Sequence, residues 1–542
     1  MRGTMQEVPL TLIPFFERAE QLFPSKGIVT ATATGLDVTT YGEWAANTRK
    51  LAGALDVLGI SADGRVGTFA WNTARHLELY FAAPCSGRVC HPLNIRLFPD
   101  QVGYIANHAE DEVIFVDRSL AALLVPVLGA VKSVRHLVVM DDGKGDVPDV
   151  PSNIAVHRYD ELVGAADPVE FHVDDEWQAA AMCYTSGTTG NPKGVAYSHR
   201  SCYLHTMGVM QVDSLGVRER DVILPVVPMF HANAWGLAHA AVASGATLVM
   251  PGPDLSAPAI AKLIVEQRVT LPAGVPTIWM SVLPELEGKD TSAIRSIICG
   301  GSAVPKALSE GFRAKIGLPI TQAWGMTETN PVASVAHLKS TLDDLDEEAK
   351  ADVRATVGLI APGVEFRVVA PDSTDRLPWD GSASGELQVR GPWVTASYYA
   401  DDRRDAFSDD GWLRTGDVAT VDAEGYIRLV DRTKDLIKSG GEWISSVDIE
   451  NELMAHPKIA EAAVVGVPDP KWSERPLACV VVRPGEALTR DEVLDFLRAR
   501  MAKWQVPDDV VFIDEVPKTS TGKFSKKDLR TRFADHVSPE HS

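Results

Sequence analysis

The sequence predicts an α/β protein in which a large domain of parallel sheets covered by helices precedes a small α+β domain. Short apolar runs such as residues 112–116 and 136–140 alternate with stretches of helical periodicity such as 259–267. This alternation is typical of parallel strands that are buried on both faces. The 542 residues also exceed what one hydrophobic core accommodates, so several packed units are expected.

The order of the predicted elements divides the chain. The N-terminal domain is predicted to span residues 1–431, and its apolar strands are 112–116, 136–140, 246–250 and 296–299. From about 358 to 430 short strands separated by Gly and Asp favour a small β-barrel-like subdomain, with strands at 363–369, 385–390 and 425–430. Residues 432–542 form the predicted C-terminal domain, with strands at 462–467 and 478–482 and a helix near 491–501.

Composition and charge exclude several classes of protein. The 52 Lys and Arg residues against 73 Asp and Glu residues give a net charge of −21, which argues against a nucleic-acid-binding surface. Six scattered cysteines do not suit a disulfide framework. No apolar run suits a signal peptide or a membrane span. We therefore expect a cytoplasmic protein.

The strongest local signal is the segment 184–195, Tyr-Thr-Ser-Gly-Thr-Thr-Gly-Asn-Pro-Lys-Gly-Val. Its glycines allow backbone N–H groups to converge on an anion, its hydroxyls add donors and its lysine adds positive charge. The spacing differs from the Walker loop, in which Lys precedes Ser or Thr. The segment predicts a polyphosphate site formed by Thr185, Ser186, Gly187, Thr188, Thr189, Gly190 and Lys193.

This segment resembles the phosphate-binding signature of the adenylate-forming superfamily, which comprises acyl-CoA synthetases, peptide-synthetase adenylation domains and luciferases. Further segments resemble the motifs of that superfamily in the same order along nearly the whole chain. They are 300–302 and 322–328 for adenine and Mg²⁺, 412–417 for ribose, 431–435 for a hinge, and 517–523 for a catalytic lysine.

The resemblance implies a two-step reaction. ATP and a carboxylic acid give acyl-AMP and pyrophosphate, and the thiol of CoA then displaces AMP. Thr185 and Glu328 would bind Mg²⁺, Asp417 would accept from both ribose hydroxyls, and Trp324 would stack on adenine. Lys523 would stabilise the negative charge that develops as the carboxylate meets the α-phosphate. The other implied nucleotide-binding residues are Gly301, Ser302, Gln322, Ala323, Gly325, Met326, Thr327 and Arg432.

The resemblance also implies a mobile C-terminal domain. Rotation about Lys434 would withdraw Lys523 and present a CoA-binding surface for the second step. The residues implied for this surface are Asp435, Lys438, Gly440, Gly441, Glu442, Trp443 and Glu474. The alternative is that these residues are polar groups of an ordinary domain interface.

The acyl pocket is implied at the segment 228–236 and at the segment 276–279. Its predicted residues are His231, Trp235, Ile278, Gly301 and Gly325. His231 would stand near the carboxylate as a catalytic group, or act as a core or gating residue. The acidic residue that amino-acid-adenylating relatives carry here is absent, which argues against amino acids. Bulky Trp235 would shorten the pocket, which favours a short or medium acyl chain.

The segment 438–446, together with His-Ala-Asn-Ala-Trp at 231–235, resembles the medium-chain fatty acyl-CoA synthetases. Within that branch the resemblance is strongest to bacterial ligases of the thioether acid 3-methylmercaptopropionate. A thioether is nearly isosteric with an alkyl chain, so physical reasoning leaves both acids open.

Three further expectations complete the prediction from sequence. We expect a homodimer. We also expect Mg²⁺ as a cofactor, with ATP and CoA as co-substrates. The alternatives are a module that transfers its acyl group to a carrier protein and a non-enzymatic nucleotide-binding relative. Basic residues outnumber acidic residues between 518 and 532, so anionic ligands would be met locally despite the net charge.

Overall fold

The computed structural model describes residues 1–185, 191–370, 373–402, 404–440, 442–519 and 523–536. The strands of the N-terminal part are β1 Gly27–Ala31, β2 Leu36–Thr40, β3 Arg65–Phe69, β4 Val89–Pro92, β5 Asp111–Asp117, β6 His136–Met140, β7 Ala155–Arg158, β8 Ala179–Tyr184, β9 Gly194–Ser198, β10 Val222–Pro225, β11 Thr247–Met250, β12 Leu271–Gly274, β13 Ile297–Gly300, β14 Ile320–Gly325, β15 Val332–Val335 and β16 Leu359–Ile360. The later strands are β17 Glu365–Val369, β18 Gly385–Arg390, β19 Leu413–Val421, β20 Ile427–Arg432, β21 Ile437–Ser439, β22 Glu442–Ile444, β23 Ile459–Asp469, β24 Ser473–Val482 and β25 Asp509–Phe512.

The helices alternate with these strands through most of the chain. They are α1 Ile13–Leu22, α2 Tyr41–Val57, α3 Ala74–Cys85, α4 Pro99–Ala109, α5 Ala121–Leu128, α6 Tyr159–Ala165, α7 His199–Met210, α8 Leu237–Ser244, α9 Ala257–Glu266, α10 Pro276–Leu286, α11 Lys306–Ile316, α12 Glu347–Arg354, α13 Ser446–Met454, α14 Arg490–Arg498 and α15 Lys526–Arg532. Short 3₁₀ turns lie at Arg118–Leu120, Ala232–Gly236, Thr327–Thr329 and Ser340–Leu342. No helix of the described residues is long and apolar enough to cross a membrane.

Two large sheets form the N-terminal part of the fold. The seven-stranded sheet has the order β7-β6-β5-β3-β4-β8-β9, and only β9 runs antiparallel to its neighbour. The nine-stranded sheet has the order β16-β15-β14-β13-β12-β10-β11-β1-β2 and is parallel from β14 to β1. The predicted α/β class with parallel sheets covered by helices is confirmed.

The central strands are buried because helices cover both faces of each sheet. All residues of β5 are buried except Glu112. Helix α3 is buried along nearly its whole length and packs against α2, where Trp44 and Phe81 meet edge to face. The start of α2 is fixed by a capping box in which the Thr40 N–H donates to Glu43 over 2.8 Å.

A four-stranded antiparallel sheet follows, with the order β17-β18-β19-β20. It corresponds to the predicted β-rich subdomain, and β17 and β20 are its edges. Its inner face contributes Leu387, Leu413 and Ile427 to a core that also contains Trp324 and Ala333. The subdomain therefore packs on the end of β14, beside the predicted nucleotide-binding motifs.

The C-terminal elements form a separate five-stranded sheet in which β25 runs parallel to β24. Its two faces bury different clusters, one around α13 and α14 and the other beneath α15. The predicted strands 462–467 and 478–482 lie inside β23 and β24. The predicted boundary at residue 431 lies one residue before the end of β20, and residues 433–436 connect β20 to β21.

Candidate active site

The predicted nucleotide and acyl segments follow the carboxyl ends of neighbouring parallel strands. Residues 301–302 follow β13, residues 326–328 follow β14, and residues 228–236 follow β10. The carboxyl ends of parallel strands lie at one edge of a sheet, where open α/β sheets bind their ligands. The structure therefore brings together segments that lie about a hundred residues apart in sequence.

The base of the predicted phosphate loop is closed by the pairing of β8 with β9, which places Tyr184 opposite Gly194. Beyond that pair, the Thr185 N–H donates to the Lys193 carbonyl over 2.9 Å, and the Lys193 N–H donates to the Thr185 hydroxyl over 3.1 Å. The Tyr184 hydroxyl lies 2.7 Å from Nδ1 of His108. The remaining predicted loop ligands, Ser186, Gly187, Thr188, Thr189 and Gly190, lie outside the described residues.

Glu328, the predicted Mg²⁺ ligand, is buried in the 3₁₀ turn that follows β14. The Tyr398 hydroxyl donates to its Oε1 over 2.6 Å, and the Thr395 N–H donates to its carbonyl over 2.8 Å. Lys193 Nζ lies 4.5 Å from the centroid of the Tyr398 ring. One tyrosine side chain therefore contacts both the predicted metal ligand and the phosphate-loop lysine.

The carboxylate of Asp417, the predicted ribose ligand, is buried and binds two side chains. Its Oδ1 pairs with Nε of Arg432 at 2.8 Å, and its Oδ2 accepts from Nε1 of Trp324 over 2.9 Å. Trp324 is only 7% exposed and belongs to the core of the β-rich subdomain. The contact of Trp324 with adenine and the contact of Asp417 with ribose stay predictions. The hydrogen bond between these two side chains is a feature of the structure.

Lys523 reaches this site from the C-terminal part of the chain. A Cβ added to Gly301 would lie 3.3 Å from its Cε. Burial, assisted by the charge of Arg432, lowers the pKa of Lys523 to about 8, while Asp417 and Glu328 act in the opposite direction. The predicted catalytic lysine thus lies among the predicted nucleotide and metal ligands.

The predicted acyl segment adopts an unusual backbone. Ala232, Asn233, Ala234 and Trp235 all have positive φ, between 44° and 59°, and Gly236 follows at 77°. A left-handed conformation costs a non-glycine residue about 1–2 kcal/mol, so packing must hold this turn in place. The turn places the Trp235 ring against the backbone at 300–301. A Cβ added to Gly300 would lie 3.4 Å from Cη2 of this ring.

His231 precedes this turn and lies within electrostatic reach of Lys523. Burial, and secondly the charge of Lys523, lower the pKa of His231 to about 3. The imidazole is therefore neutral near pH 7 rather than a cation. Ile278, the other predicted wall residue, lies in the first turn of α10, directly after β12.

The residues that follow β13 and those along and after β14 include two kinds of position. Some pack inside the fold, and others are predicted to face the ligand. A Cβ added to Gly325 would lie 1.8 Å from the Pro331 carbonyl oxygen, so glycine is required there for the approach of β15. Among the described residues, buried Gln322 Oε1 has no hydrogen-bond partner. The Thr327 carbonyl accepts from the Tyr197 hydroxyl over 2.6 Å. Ser302 is exposed at the site, Ala323 is buried, and Met326 is half-buried.

The predicted hinge and CoA-binding residues lie in the C-terminal part. Lys434 is exposed in the connection between β20 and β21, and the β21–β22 hairpin carries Lys438, Gly440, Glu442 and Trp443. The Lys438 N–H donates to Glu474 over 2.9 Å. The geometry thus gathers these residues on one hairpin and the adjacent β24, while Gly441 lies outside the described residues.

Asp435 is the member of this set that lies elsewhere. Its carboxylate accepts a hydrogen bond from the Arg530 guanidinium of α15. It therefore links the connection after β20 to the last helix. The predicted roles of the hinge and of the hairpin in CoA binding stay predictions.

Sequence reasoning missed the aromatic contacts at the base of the predicted phosphate loop and beside Glu328, which involve Tyr184, Tyr197, Tyr398 and His108. Tyr398 comes from the connection after β18, outside every motif that the sequence singled out. A tandem Tyr-Tyr at 398–399 is the only signal there, and it indicates no chemistry by itself.

Comparison with known proteins places this geometry in a family. The family of AMP-binding enzymes matches residues 16–399, and the C-terminal domain of AMP-binding enzymes matches residues 448–523. Among solved structures, ATP-bound MatB from Rhodopseudomonas palustris has a TM-score of 0.83 at 27% identity, covering 97% of this chain and 99% of that one. A benzoate CoA ligase from Burkholderia xenovorans also has a TM-score of 0.83, at 26% identity, covering 97% of this chain and 100% of that one.

Curated relatives match over nearly the full length. A long-chain-fatty-acid–CoA ligase of Thermus thermophilus is 46% identical, covering 98% of this chain and 97% of its own. A 3-methylmercaptopropionyl-CoA ligase of Ruegeria lacuscaerulensis is 44% identical, covering 99% of both chains. A medium-chain-fatty-acid–CoA ligase of Ectopseudomonas oleovorans is 40% identical, covering 99% of this chain and 98% of its own.

The fold and the site define an adenylate-forming enzyme. The chain belongs to the family of AMP-binding enzymes. The prediction of an AMP-forming acyl-CoA ligase, with ATP and CoA as substrates and an acyl-adenylate intermediate, is confirmed.

The lowered pKa of Lys523 predicts an alkaline limb in the first half-reaction. The lysine is charged below pH 8 and loses its proton as the pH rises through about 8, so kcat/KM for pyrophosphate formation should fall above that pH. Steady-state pyrophosphate assays from pH 6 to 10 measure the limb. In Lys523→Arg the residual activity should keep its value to higher pH, because a guanidinium stays charged. An identical limb in both proteins would contradict the assignment.

Proposed function

We propose that the chain activates a short- or medium-chain carboxylic acid, either an aliphatic acid or the thioether acid 3-methylmercaptopropionate, as its CoA thioester. The observation that carries the proposal is the position of Lys523 against Gly301, with the Trp235 ring against the same backbone. A carboxylate placed between the lysine and the indole would have its charged end at Lys523. Two relatives, the 3-methylmercaptopropionyl-CoA ligase and the medium-chain-fatty-acid–CoA ligase, support the same class of substrate, whereas the relative from Thermus thermophilus is a long-chain-fatty-acid–CoA ligase.

In the proposed first step, the carboxylate oxygen attacks the α-phosphorus of ATP, and pyrophosphate leaves. Both reactants are anionic, so their approach needs a fixed positive charge that water does not screen. Lys523 supplies that charge, and its burial strengthens the interaction. Lys193 would neutralise the leaving pyrophosphate, while Asp417 would hold the ribose. Neutral His231 would orient the carboxylate by a hydrogen bond.

The oxygen donors suit Mg²⁺. Glu328 offers a buried carboxylate and Thr185 a hydroxyl, and the described residues hold no cluster of three or more His, Cys, Asp or Glu side chains that could bind a metal alone. This fits an ion that keeps several waters and is bound by one carboxylate together with substrate phosphates. Mg²⁺ held there would neutralise charge on the phosphate oxygens.

In the proposed second step the CoA thiol attacks the acyl carbonyl, and AMP leaves. The position that Lys523 occupies beside the acyl group must then be vacated. A change of backbone angles in the connection 433–436, which contains Lys434, would withdraw the lysine and bring the β21–β22 hairpin to the site. Gly440 and exposed Trp443 on that hairpin are suited to line a narrow pantetheine channel.

We also propose a cellular compartment and an oligomeric state for the protein. The six cysteines are all free and buried, which supports a reducing compartment such as the cytoplasm. A homodimer stays our prediction.

The first test is acid-dependent release of pyrophosphate from ATP, with and without CoA. The panel contains 3-methylmercaptopropionate, propionate, butyrate, hexanoate, laurate and benzoate. We expect release with hexanoate and 3-methylmercaptopropionate, and formation of their CoA thioesters when CoA is present. Absence of pyrophosphate with every acid would refute the proposed function, and a preference for laurate would refute the short pocket.

The two half-reactions should respond differently to loss of the lysine. Lys523→Ala should slow adenylation by about 10²-fold or more, because the charge on the attacking carboxylate and the α-phosphate is no longer stabilised. The reaction of CoA with preformed acyl-AMP should stay close to that of the unsubstituted enzyme. Single-turnover assays of each half-reaction separate the two, and Lys503→Ala, an exposed lysine of the same domain, is the control. Equal loss in both half-reactions would contradict the withdrawal of Lys523.

Trp235 should set the length of the acyl chain. Trp235→Ala removes the ring that lies on the backbone at 300–301 and should raise kcat/KM for laurate relative to hexanoate by about 10-fold. Trp235→Phe should fall between the two proteins. The measurement is kcat/KM for each acid, and an unchanged preference in Trp235→Ala would place the chain-length limit elsewhere.

A further inference from the structure

A short segment of the β-rich subdomain, residues 395–399, connects the two halves of the ATP site. At one end the Thr395 N–H donates to the Glu328 carbonyl over 2.8 Å. At the other end the Tyr399 N–H donates to the Gly194 carbonyl over 2.8 Å, at the base of the phosphate loop. The backbone of the segment is therefore fixed to both the metal-ligand turn and the phosphate loop.

The side chain between these anchors repeats the connection. The Tyr398 hydroxyl donates to Oε1 of Glu328, and the Tyr398 ring faces Nζ of Lys193. The side chain is 8% exposed, and its ring packs near Phe407 with centroids 6.1 Å apart. A buried ring with neighbours on several sides is held in one rotamer, so it is a rigid support for both charged groups.

The chemistry of the two contacts matches their roles. The Tyr398 hydroxyl is a hydrogen-bond donor, and it donates to the acceptor oxygen Oε1 of Glu328 over 2.6 Å. Because Oε1 of Glu328 accepts this bond, the orientation of the carboxylate is fixed, and its Oε2 is directed away from the Tyr398 hydroxyl. The face of the Tyr398 ring attracts the Lys193 ammonium and carries no full negative charge itself. The lysine is therefore positioned while its charge stays available to an anion.

We propose that Tyr398 is a positioning residue for ATP, which orients Glu328 through its hydroxyl and Lys193 through its ring. The inference rests on the proposed function, because it takes Lys193 as a phosphate ligand and Glu328 as the Mg²⁺ ligand. It predicts that Tyr398 contributes to binding of the β- and γ-phosphates and of the divalent ion. It also predicts no contribution to binding of AMP or to the second half-reaction.

Two variants separate the two contacts. Tyr398→Phe keeps the ring and removes the hydroxyl, so it should weaken binding of Mn²⁺ to the enzyme–ATP complex by about 10-fold. Tyr398→Leu also removes the ring, so it should raise the Kd of ATP by a further factor of about 5. Tyr426→Phe is the matched control, since that hydroxyl donates to the His337 carbonyl at another site.

The measurements use the full-length enzyme without acid, so that ATP is not consumed. Electron paramagnetic resonance gives Mn²⁺ binding, and calorimetry gives the Kd of ATP and of AMP. Single-turnover assays give the rate of CoA attack on preformed acyl-AMP. We expect the AMP affinity and the second half-reaction to stay within about 2-fold of the unsubstituted enzyme, since neither involves the β- and γ-phosphates.

Three outcomes decide the inference. A loss confined to Mn²⁺ and ATP supports it. Equal losses for ATP and AMP in Tyr398→Phe would overturn it, because they would indicate a general structural role. Unchanged binding of ATP and Mn²⁺ in Tyr398→Phe would overturn it as well. Lys193→Met identifies a failure of the proposed function itself, because it should weaken ATP binding whatever the role of Tyr398.

Discussion

The contact of Lys523 with the backbone at Gly301 is the constraint on which the rest of the site depends. A lysine from the C-terminal part of the chain lies against this backbone at the sheet edge, where a Cβ added to Gly301 would make a tight contact of 3.3 Å with its Cε. The Trp235 ring lies against the same backbone. The fold thus brings glycine, lysine and tryptophan close together, although they come from three distant segments.

The charge of the chain fits this arrangement. A net charge of −21 repels ATP and CoA at long range, so their binding must depend on local fields. The site provides two such cations. The ammonium of Lys193 lies over the Tyr398 ring, and the guanidinium of Arg432 pairs with Asp417. Burial lowers the pKa of Lys523 because desolvation outweighs the opposing charges of Asp417 and Glu328. A substrate that brings further negative charge would favour the charged form of the lysine.

The sequence predicted the elements whose signal is local. The apolar run 136–140 coincides with β6, and glycine-rich segments located the strand ends at which ligands bind. The contacts missed are those that depend on packing between distant segments. Tyr398 meets Glu328 only because the β-rich subdomain packs on β14. The left-handed turn at 232–235 was also missed, since Ala and Trp give no sequence signal for positive φ and the single Asn favours it at one position only.

The two-step reaction would form and break the contacts of Lys523 in a fixed order. Desolvation opposes the charge of half-buried Lys523 near Arg432, which would make the arrangement with Lys523 at the site less stable. ATP and the acid would stabilise the arrangement by supplying negative charge to the lysine. Formation of acyl-AMP would remove the charge of the carboxylate and so weaken the hold of the site on Lys523. The first step would thereby favour the rotation that we propose for the second step, and the chemistry itself would set the direction of the conformational change.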